Sequence, residues 1–297
     1  VLENGCICCT VRGDLVDTLQ TLDNRAARGE IPAFTRVLIE TTGLAEPAPV
    51  IGTLTGPALS ARFALSAIVT TLDCVNGVRQ IDQHQEVAKQ IAAAGLVVLT
   101  KADGCHPQAS EALRALTRTL NPTAEIRLSE KVDAPLVLDA PNWHFQEGKP
   151  DSWLPSSRLA DDVAGMTTAS PMLKRPGHAA GPFEAVHAAS VQAVSLFCEH
   201  PVQWRSLERW LHALTSLRGD DILRIKGLVN VDGLTGPRIV HGVQHLLHAP
   251  RDIPAWPDED RRTRLVIIGR NLPAEGLQRS FRDAVRFEAA GSYPTKG

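Results

Sequence analysis

Residues 95–101 read Gly-Leu-Val-Val-Leu-Thr-Lys, a short and almost wholly apolar run that closes on two polar residues. A run of this length and composition is typical of a strand buried on both faces of a parallel sheet. Residues 67–73 and 36–40 repeat the form, and each of them ends in an acidic residue. Apolar residues at helical spacing, at 14–28 and around 83–94, predict the helices of an α/β fold with a parallel sheet.

The alternation of strand-like and helix-like segments ends after residue 130, and seven prolines occur between there and residue 183. This composition predicts a connection between two domains. Regular patterns then resume. Strand-like runs occur at residues 186–197, 222–231, 238–247 and 264–268, and two helices are expected at residues 202–217 and 274–285. Strands grouped in this way predict an α+β domain with a helix pair on one face of an antiparallel sheet. We therefore expect domains at 1–130 and 183–290, with a linker or insertion at 131–182.

Bulk composition excludes several classes of function. The chain has 297 residues, a net charge of −2 and a pI of about 6.6, so we expect neither nucleic acid nor membrane as a partner. No apolar run in the sequence is long enough to span a bilayer. The six cysteines are unevenly placed and do not suggest a disulfide framework, which favours a reducing, cytoplasmic location.

Three of these cysteines form a dense cluster, because Cys6, Cys8 and Cys9 fall within four residues. Thiolates are soft ligands that suit Zn²⁺ and Cu⁺, and neighbouring cysteines do not readily pair with one another in a disulfide. Three protein ligands leave a fourth tetrahedral position open, which allows exchange of the ion. The alternative is that these cysteines are small buried apolar residues, and we favour that reading for Cys74, Cys105 and Cys198.

Residues 3–15, Glu-Asn-Gly-Cys-Ile-Cys-Cys-Thr-Val-Arg-Gly-Asp-Leu, resemble the metal-binding segment of the CobW-type GTPases of the SIMIBI class. That family includes cobalamin-synthesis accessory proteins, nitrile hydratase activators and zinc-regulated metalloprotein activators. The resemblance implies a P-loop-type GTPase domain, incomplete here, followed by a smaller C-terminal domain. It also implies that Cys6, Cys8 and Cys9 bind the ion that is handed on to a client apo-metalloprotein, with Zn²⁺ expected and Co²⁺ as an alternative.

Glu40 and Gly43 form a second candidate site. An acid at the carboxyl end of a parallel strand lies where open α/β sheets bind ligands, so Glu40 can hold Mg²⁺ directly or through water. Gly43 lets its backbone N–H approach a γ-phosphate. The alternative is an acid that caps the next helix. Residues 37–47 also resemble the second phosphate-site motif of the same family, which implies a catalytic role for Glu40.

Thr100, Lys101 and Asp103 stand where the run at 95–101 ends, and residues 97–103 resemble the guanine-reading motif of GTPases. The resemblance implies that Asp103 accepts hydrogen bonds from the ring N–H and exocyclic amine of guanine. The stem of Lys101 would lie along the base. Thr100 replaces the Asn of many GTPases. The alternative is a solvated Lys-Asp turn after a strand.

The C-terminal half carries the same resemblance at residues 223–227 and 261–270. Within it, His241 and His245 would share a strand face as possible ligands, although a structural role is the favoured interpretation. No phosphate loop of the form G-x-x-x-x-G-K-[ST] occurs in the sequence, and in this family it lies upstream of the cysteines. We expect the true N-terminus to precede Val1 and this fragment to be nearly inactive.

The sequence thus predicts a GTP-dependent zinc chaperone that uses GTP and Mg²⁺ and transfers its ion as GTP is hydrolysed. Two alternatives remain open. One is a metal buffer or scaffold without turnover, and the other is a plain GTPase with structural cysteines.

Overall fold

The computed structural model describes residues 10–138 and 191–286. The chain divides into two compact units, Val1–Ser66 and Ala67–Gly297, and each is considered by itself. Cys6, Cys8 and Cys9 lie outside the described residues.

The first unit contains helices α1 (Thr10–Ala27) and α2 (Pro47–Thr55), which pack against each other. Helix α1 confirms the helix predicted at 14–28, and its Leu19 is buried. Proline at the start of α2 suits a position whose N–H has no partner inside the helix. A bidentate ion pair between Arg62 and Asp23, with N···O distances of 2.9 and 2.8 Å, ties the end of the unit to α1.

The strand predicted at 36–40 is wrong. These residues are irregular chain that belongs to neither sheet, and Leu38 is 77% exposed. Apolar composition alone does not bury a strand, because burial on both faces also requires neighbouring strands and covering helices. In the described part of the chain this segment lacks that context.

The second unit begins with a parallel sheet of three strands in the order β1–β2–β3. The strands are β1 (Val69–Asp73), β2 (Leu96–Thr100) and β3 (Glu125–Leu128). Helices α3 (Gly77–Gln83) and α4 (Gln85–Ala93) connect β1 to β2, and α5 (Pro107–Leu120) connects β2 to β3. Strand β2 is central and buried along its apolar length, which confirms the strand predicted at 95–101. A short helix, α6 (Ala134–Leu138), follows.

Six antiparallel strands form a second sheet in the same unit, with the order β4–β9–β5–β6–β7 and with β8 paired to β6. Their bounds are Val191–Cys198 for β4, Ile222–Val229 for β5, Arg238–Val243 for β6, Leu246–Leu247 for β7, Arg251–Asp252 for β8 and Thr263–Arg270 for β9. Two helices, α7 (Trp204–Arg218) and α8 (Ala274–Arg286), complete the described residues.

One face of the antiparallel sheet is covered by these two helices, as predicted for an α+β domain. Leu207 and Leu211 of α7 and Phe281 of α8 join one apolar cluster with sheet residues such as Ile225 and Ile267. The rings of Trp210 and Phe281 meet edge to face at 5.5 Å between centroids.

The opposite face of that sheet packs against the parallel-sheet domain. Leu228 and Ile268 from the antiparallel sheet share an apolar cluster with Ile91 of α4, Leu113 of α5 and Val97 of β2. This second contact explains why all eight residues of β5 are buried, since that strand has partners on both edges and cover on both faces.

A buried arginine crosses this shared core. Arg224 of β5 is 3% exposed and donates to the carbonyls of Ala93 and Ala94 at the C-terminal end of α4, with 2.8 Å to Ala94 O. Asn121 donates to Ile91 O and Ala94 O at 2.8 and 2.9 Å. Burial lowers the pKa of Arg224 to about 9. The guanidinium therefore supplies donors and positive charge where helix carbonyls lack intrahelical partners.

Replacing Arg224 with Met should destabilise the protein by about 2–4 kcal/mol, because buried carbonyls of α4 would lose their donor. Urea unfolding followed by circular dichroism measures this change. The matched control is Arg218→Met in the same domain, since the Arg218 side chain is 43% exposed and forms only a 3.5 Å ion pair with Asp221. Equal destabilisation by the two variants would contradict a special role for Arg224.

Candidate functional site

The carboxyl ends of β1 and β2 form the candidate site in the second unit. The two strands pair in parallel with Asp73 opposite Thr100, so the loops that follow them leave the sheet side by side. The amide of Cys74 donates to Thr100 O at 2.9 Å, and the Thr100 hydroxyl donates to Leu72 O at 3.2 Å. Thr100 therefore ties the strand ends together, a structural role that the sequence did not indicate.

Lys101 has an unusual backbone conformation. Its φ of 56° lies in the left-handed region, and it is followed at once by the 3₁₀ turn Ala102–Gly104. Non-glycine residues rarely adopt this conformation, which costs of order 1 kcal/mol or more and is concentrated at functional sites. The backbone thus reverses direction sharply between the end of β2 and Asp103.

Asp73 binds the side chain of Lys101. The distance from Lys101 Nζ to Asp73 Oδ2 is 2.8 Å, and Asn76 Nδ2 donates to the same oxygen at 3.1 Å. The other carboxylate oxygen accepts from the amides of Val75 and Asn76, at 2.7 and 3.2 Å. The hydrogen bond from Lys101 is the main reason why the pKa of Asp73 lies well below its usual 3.8, and the bond from Asn76 lowers it further. The contact with Asp73 in turn raises the pKa of Lys101.

Asp103 contrasts with Asp73, because its carboxylate is exposed and makes no hydrogen bond or ion pair within residues 10–138 and 191–286. A carboxylate in this state can accept two hydrogen bonds from a ligand without losing any protein contact. The structure therefore places Thr100, Lys101 and Asp103 at one sheet edge and adds Asp73 to them. Asp73 was missed as a site residue, although parallel strands that both end in polar residues are a usable signal for it.

Glu40 and Gly43 lie in the first unit, in the irregular chain that precedes α2. The carboxylate of Glu40 is exposed and has no partner among the residues that the structure describes. Gly43 is exposed and occupies a turn closed by a 3.0 Å hydrogen bond from the Ala45 amide to Thr42 O. A Cβ built on Gly43 would meet no atom within 4 Å, so the space on that side of its backbone is open.

Cys74, Cys105, His241 and His245 have structural surroundings. Cys74 is buried, which raises the pKa of its thiol, and the Cys105 thiol donates to Cys74 O at 3.1 Å. His241 and His245 do not share a strand face, so that expectation is wrong. Strand β6 ends at Val243, and the next residue has a φ of 51°; the His245 ring then lies 3.0 Å from Thr215 O, whereas His241 stacks on His248 with centroids 4.4 Å apart.

Within residues 10–138 and 191–286, no group of three or more His, Cys, Asp or Glu side chains could hold a metal ion. Nor does any helix in those ranges combine the length and apolar character needed to cross a bilayer.

Asp73→Asn should destabilise the protein at neutral pH, because the Lys101 contact loses its charge. A carboxyl whose folded pKa is depressed contributes stability that is present above its unfolded pKa and is lost as pH falls towards the folded value. The difference in unfolding free energy between wild type and variant should thus be constant at about pH 5–7 and shrink below about pH 4. Urea titrations at several pH values measure it, and an unchanged difference at about pH 3 would contradict the ion pair.

Comparison with known proteins places this site in a family context. The family profile described as CobW/HypB/UreG, nucleotide-binding domain, matches residues 1–127, and the profile described as Cobalamin synthesis protein cobW C-terminal domain matches residues 191–285. The boundary between the two matches falls in the proline-rich region that follows β3.

Two curated relatives are similar over most of the chain. The zinc chaperone YjiA of Escherichia coli is 28% identical over 283 residues, which cover 94% of this chain and 80% of the relative. The zinc-regulated GTPase metalloprotein activator 1 of Schizosaccharomyces pombe is 27% identical over 305 residues, covering 91% and 68%. The crystal structure of Zn(II)-bound YjiA GTPase from E. coli matches the fold with a TM-score of 0.70, at 23% identity, over 90% of this chain and 76% of that one.

Proposed function

Because the chain belongs to the family that joins a CobW/HypB/UreG nucleotide-binding domain to a CobW C-terminal domain, we propose that it is a GTP-dependent zinc chaperone. The observation that carries the proposal is the pair of loops at the ends of β1 and β2, where the Asp103 carboxylate has no partner among the described residues and Lys101 is paired with Asp73. The names of the curated relatives, zinc chaperone and zinc-regulated GTPase metalloprotein activator, support zinc as the cargo.

Recognition of guanine is assigned to Asp103 and Lys101. Asp103 would accept hydrogen bonds from the ring N–H and the exocyclic amine of guanine, donors that adenine does not present in this arrangement. Lys101 would lay its aliphatic stem against the base while its ammonium stays paired with Asp73. Thr100 would support the site by holding the two strand ends together through its bond to Leu72 O.

Glu40 and Gly43 are assigned to the phosphate end of the nucleotide. The exposed Glu40 carboxylate, which has no partner in the described part of the chain, fits a role in holding a hydrated Mg²⁺ or in orienting the attacking water. The open space around Gly43 fits the close approach of its backbone to a phosphate. Mg²⁺, when bound, would neutralise phosphate charge.

Zinc is the transported substrate in this proposal, and Cys6, Cys8 and Cys9 are its assigned ligands. Three thiolates leave one tetrahedral position for a ligand from the client apo-metalloprotein, so the ion can pass between proteins without being released to water. GTP hydrolysis would change the chain around the cysteines and so favour transfer. We place this activity in the cytoplasm, where thiols stay reduced, and retain Co²⁺ as an alternative cargo.

One observation favours the alternative proposal, a metal buffer without turnover. No G-x-x-x-x-G-K-[ST] sequence occurs within the 297 residues. Without that loop, the chain as it stands lacks the amide cradle and lysine that anchor β- and γ-phosphates. We therefore expect little hydrolysis from these 297 residues alone. A buffer would bind zinc with no preference for guanine, which separates the two proposals.

Asp103→Asn should weaken GMP binding by about 10–100-fold. The carboxylate can accept two hydrogen bonds from guanine, whereas the amide presents one acceptor oxygen and one NH2 donor, which would face a donor of the base. The same variant should gain affinity for XMP, whose ring carries an oxygen where guanine carries the amine. NMR titrations of the 297-residue chain with GMP, AMP and XMP measure these affinities. The control is Asp82→Asn, an exposed acid of α3. Equal binding of GMP and AMP by the wild-type chain would contradict guanine recognition.

Cys8→Ser should abolish tight binding of zinc, with a loss greater than the roughly 10–100-fold that removal of an outer-shell partner costs. Competition with a chromophoric chelator measures the affinity and stoichiometry. Cys198→Ser is the control, since the one hydrogen bond of the Cys198 thiol within the described residues is to His200 O, at 3.4 Å. Unchanged zinc affinity in Cys8→Ser would show that the cysteine cluster is not the cargo site.

A further inference from the structure

Asp73 lies outside the segment that resembles a guanine-reading motif, yet it binds a side chain of that segment. Asp73 is the rigid partner, because its side chain is 14% exposed and two backbone amides and Asn76 also donate to it. The Lys101 side chain is 67% exposed and is held through its ammonium, 2.8 Å from Asp73 Oδ2. The acid thus fixes the lysine, and the lysine does not fix the acid.

We propose that Asp73 is a positioning residue for guanine recognition, holding Lys101 so that its aliphatic stem forms a preformed platform for the base beside Asp103. This inference rests on the proposed nucleotide-binding function and adds to its base site an acid from a different strand. It assigns to Asp73 no contact with the nucleotide.

The physical reason is the cost of ordering a lysine. An unrestrained lysine side chain has a large rotamer entropy, part of which is lost when a base packs against its stem. If an ion pair restrains the side chain before the ligand arrives, that entropy is lost during folding and is not lost again on binding. The left-handed backbone of Lys101 and the fixed carboxylate of Asp73 restrain the side chain at both of its ends.

The competing explanation is that Asp73 only shapes the loop after β1. The two carboxylate oxygens largely separate these roles, since Oδ1 accepts from the amides of Val75 and Asn76, whereas Oδ2 accepts from Lys101 Nζ and Asn76 Nδ2. Asp73→Asn keeps an oxygen that can accept the two backbone amide bonds, removes the negative charge opposite the lysine and also loses the side-chain bond from Asn76. Because that loop bond is lost in Asp73→Asn whether or not Lys101 is present, only its coupling to Lys101→Met reports the restraint on the lysine.

The experiment is a double-mutant cycle with GMP as the probe, comparing wild type, Asp73→Asn, Lys101→Met and the double variant by NMR titration. We expect Asp73→Asn to weaken GMP binding by about 3–10-fold, because Lys101 would then lose its side-chain entropy on binding. The double variant should bind no more weakly than Lys101→Met alone. Asp252→Asn is the matched control, because it breaks a bidentate pair with Arg238, at 2.6 and 2.7 Å, in the antiparallel sheet; it should leave GMP affinity unchanged.

The outcomes are distinct. If the wild-type chain fails to bind GMP, the proposed function is overturned and this inference with it. If the wild type binds and Asp73→Asn binds equally well, or if the two single losses add in the double variant, only the inference is overturned. Should Asp73→Asn not fold, side-chain relaxation of the wild-type chain decides: Lys101 should be more ordered than the exposed Lys131, and equal mobility would refute the restraint.

Discussion

The parallel register of β1 and β2 is the constraint on which the candidate site depends. Because Asp73 stands opposite Thr100, both strands end at one level and their loops leave the same edge of the sheet. The ion pair of Asp73 with Lys101, the bond between Thr100 and Leu72 O and the open Asp103 carboxylate all follow from that pairing. A shift of two residues in register would remove the lysine from the acid and leave two unrelated loops.

The C-terminal sheet stabilises the elements that carry this site. One face of this sheet is covered by α7 and α8, and the opposite face contributes Leu228 and Ile268 to the core around β2. Arg224 donates from that sheet to the end of α4, only a few residues before β2 begins. The two family domains therefore share one core in the second unit, and loss of the C-terminal domain would expose apolar surface beside the nucleotide-binding domain.

Much of the fold could be predicted from the sequence where local pattern and burial agree. Strand β2 is apolar up to Thr100 and lies at the centre of its sheet, and α7 and α8 present one apolar face to the antiparallel sheet. Residues 36–40 have a similar composition but belong to neither sheet, since composition cannot show which strands lie alongside. The prediction that His241 and His245 share a strand face is wrong because β6 ends at Val243 and the chain turns at Gln244.

The geometry of the candidate site could be predicted in part, for a related reason. Asp103 belongs to a local motif, so a candidate role for it can be proposed from the sequence, and its carboxylate is exposed in the structure. Asp73 contacts a residue 28 positions later, so that contact depends on strand pairing that no local motif contains. The assignments of Glu40, Gly43, Thr100, Lys101, Asp103 and the three N-terminal cysteines remain predictions.

Amide chemical shifts of the isotope-labelled chain, followed during addition of GMP, would locate the base on the protein. The largest changes should fall at residues 100–105 and 73–76, the two loops joined by the Asp73–Lys101 pair, and AMP should not reproduce them. Changes centred on another part of the chain, or equal changes with AMP, would contradict base recognition at this sheet edge.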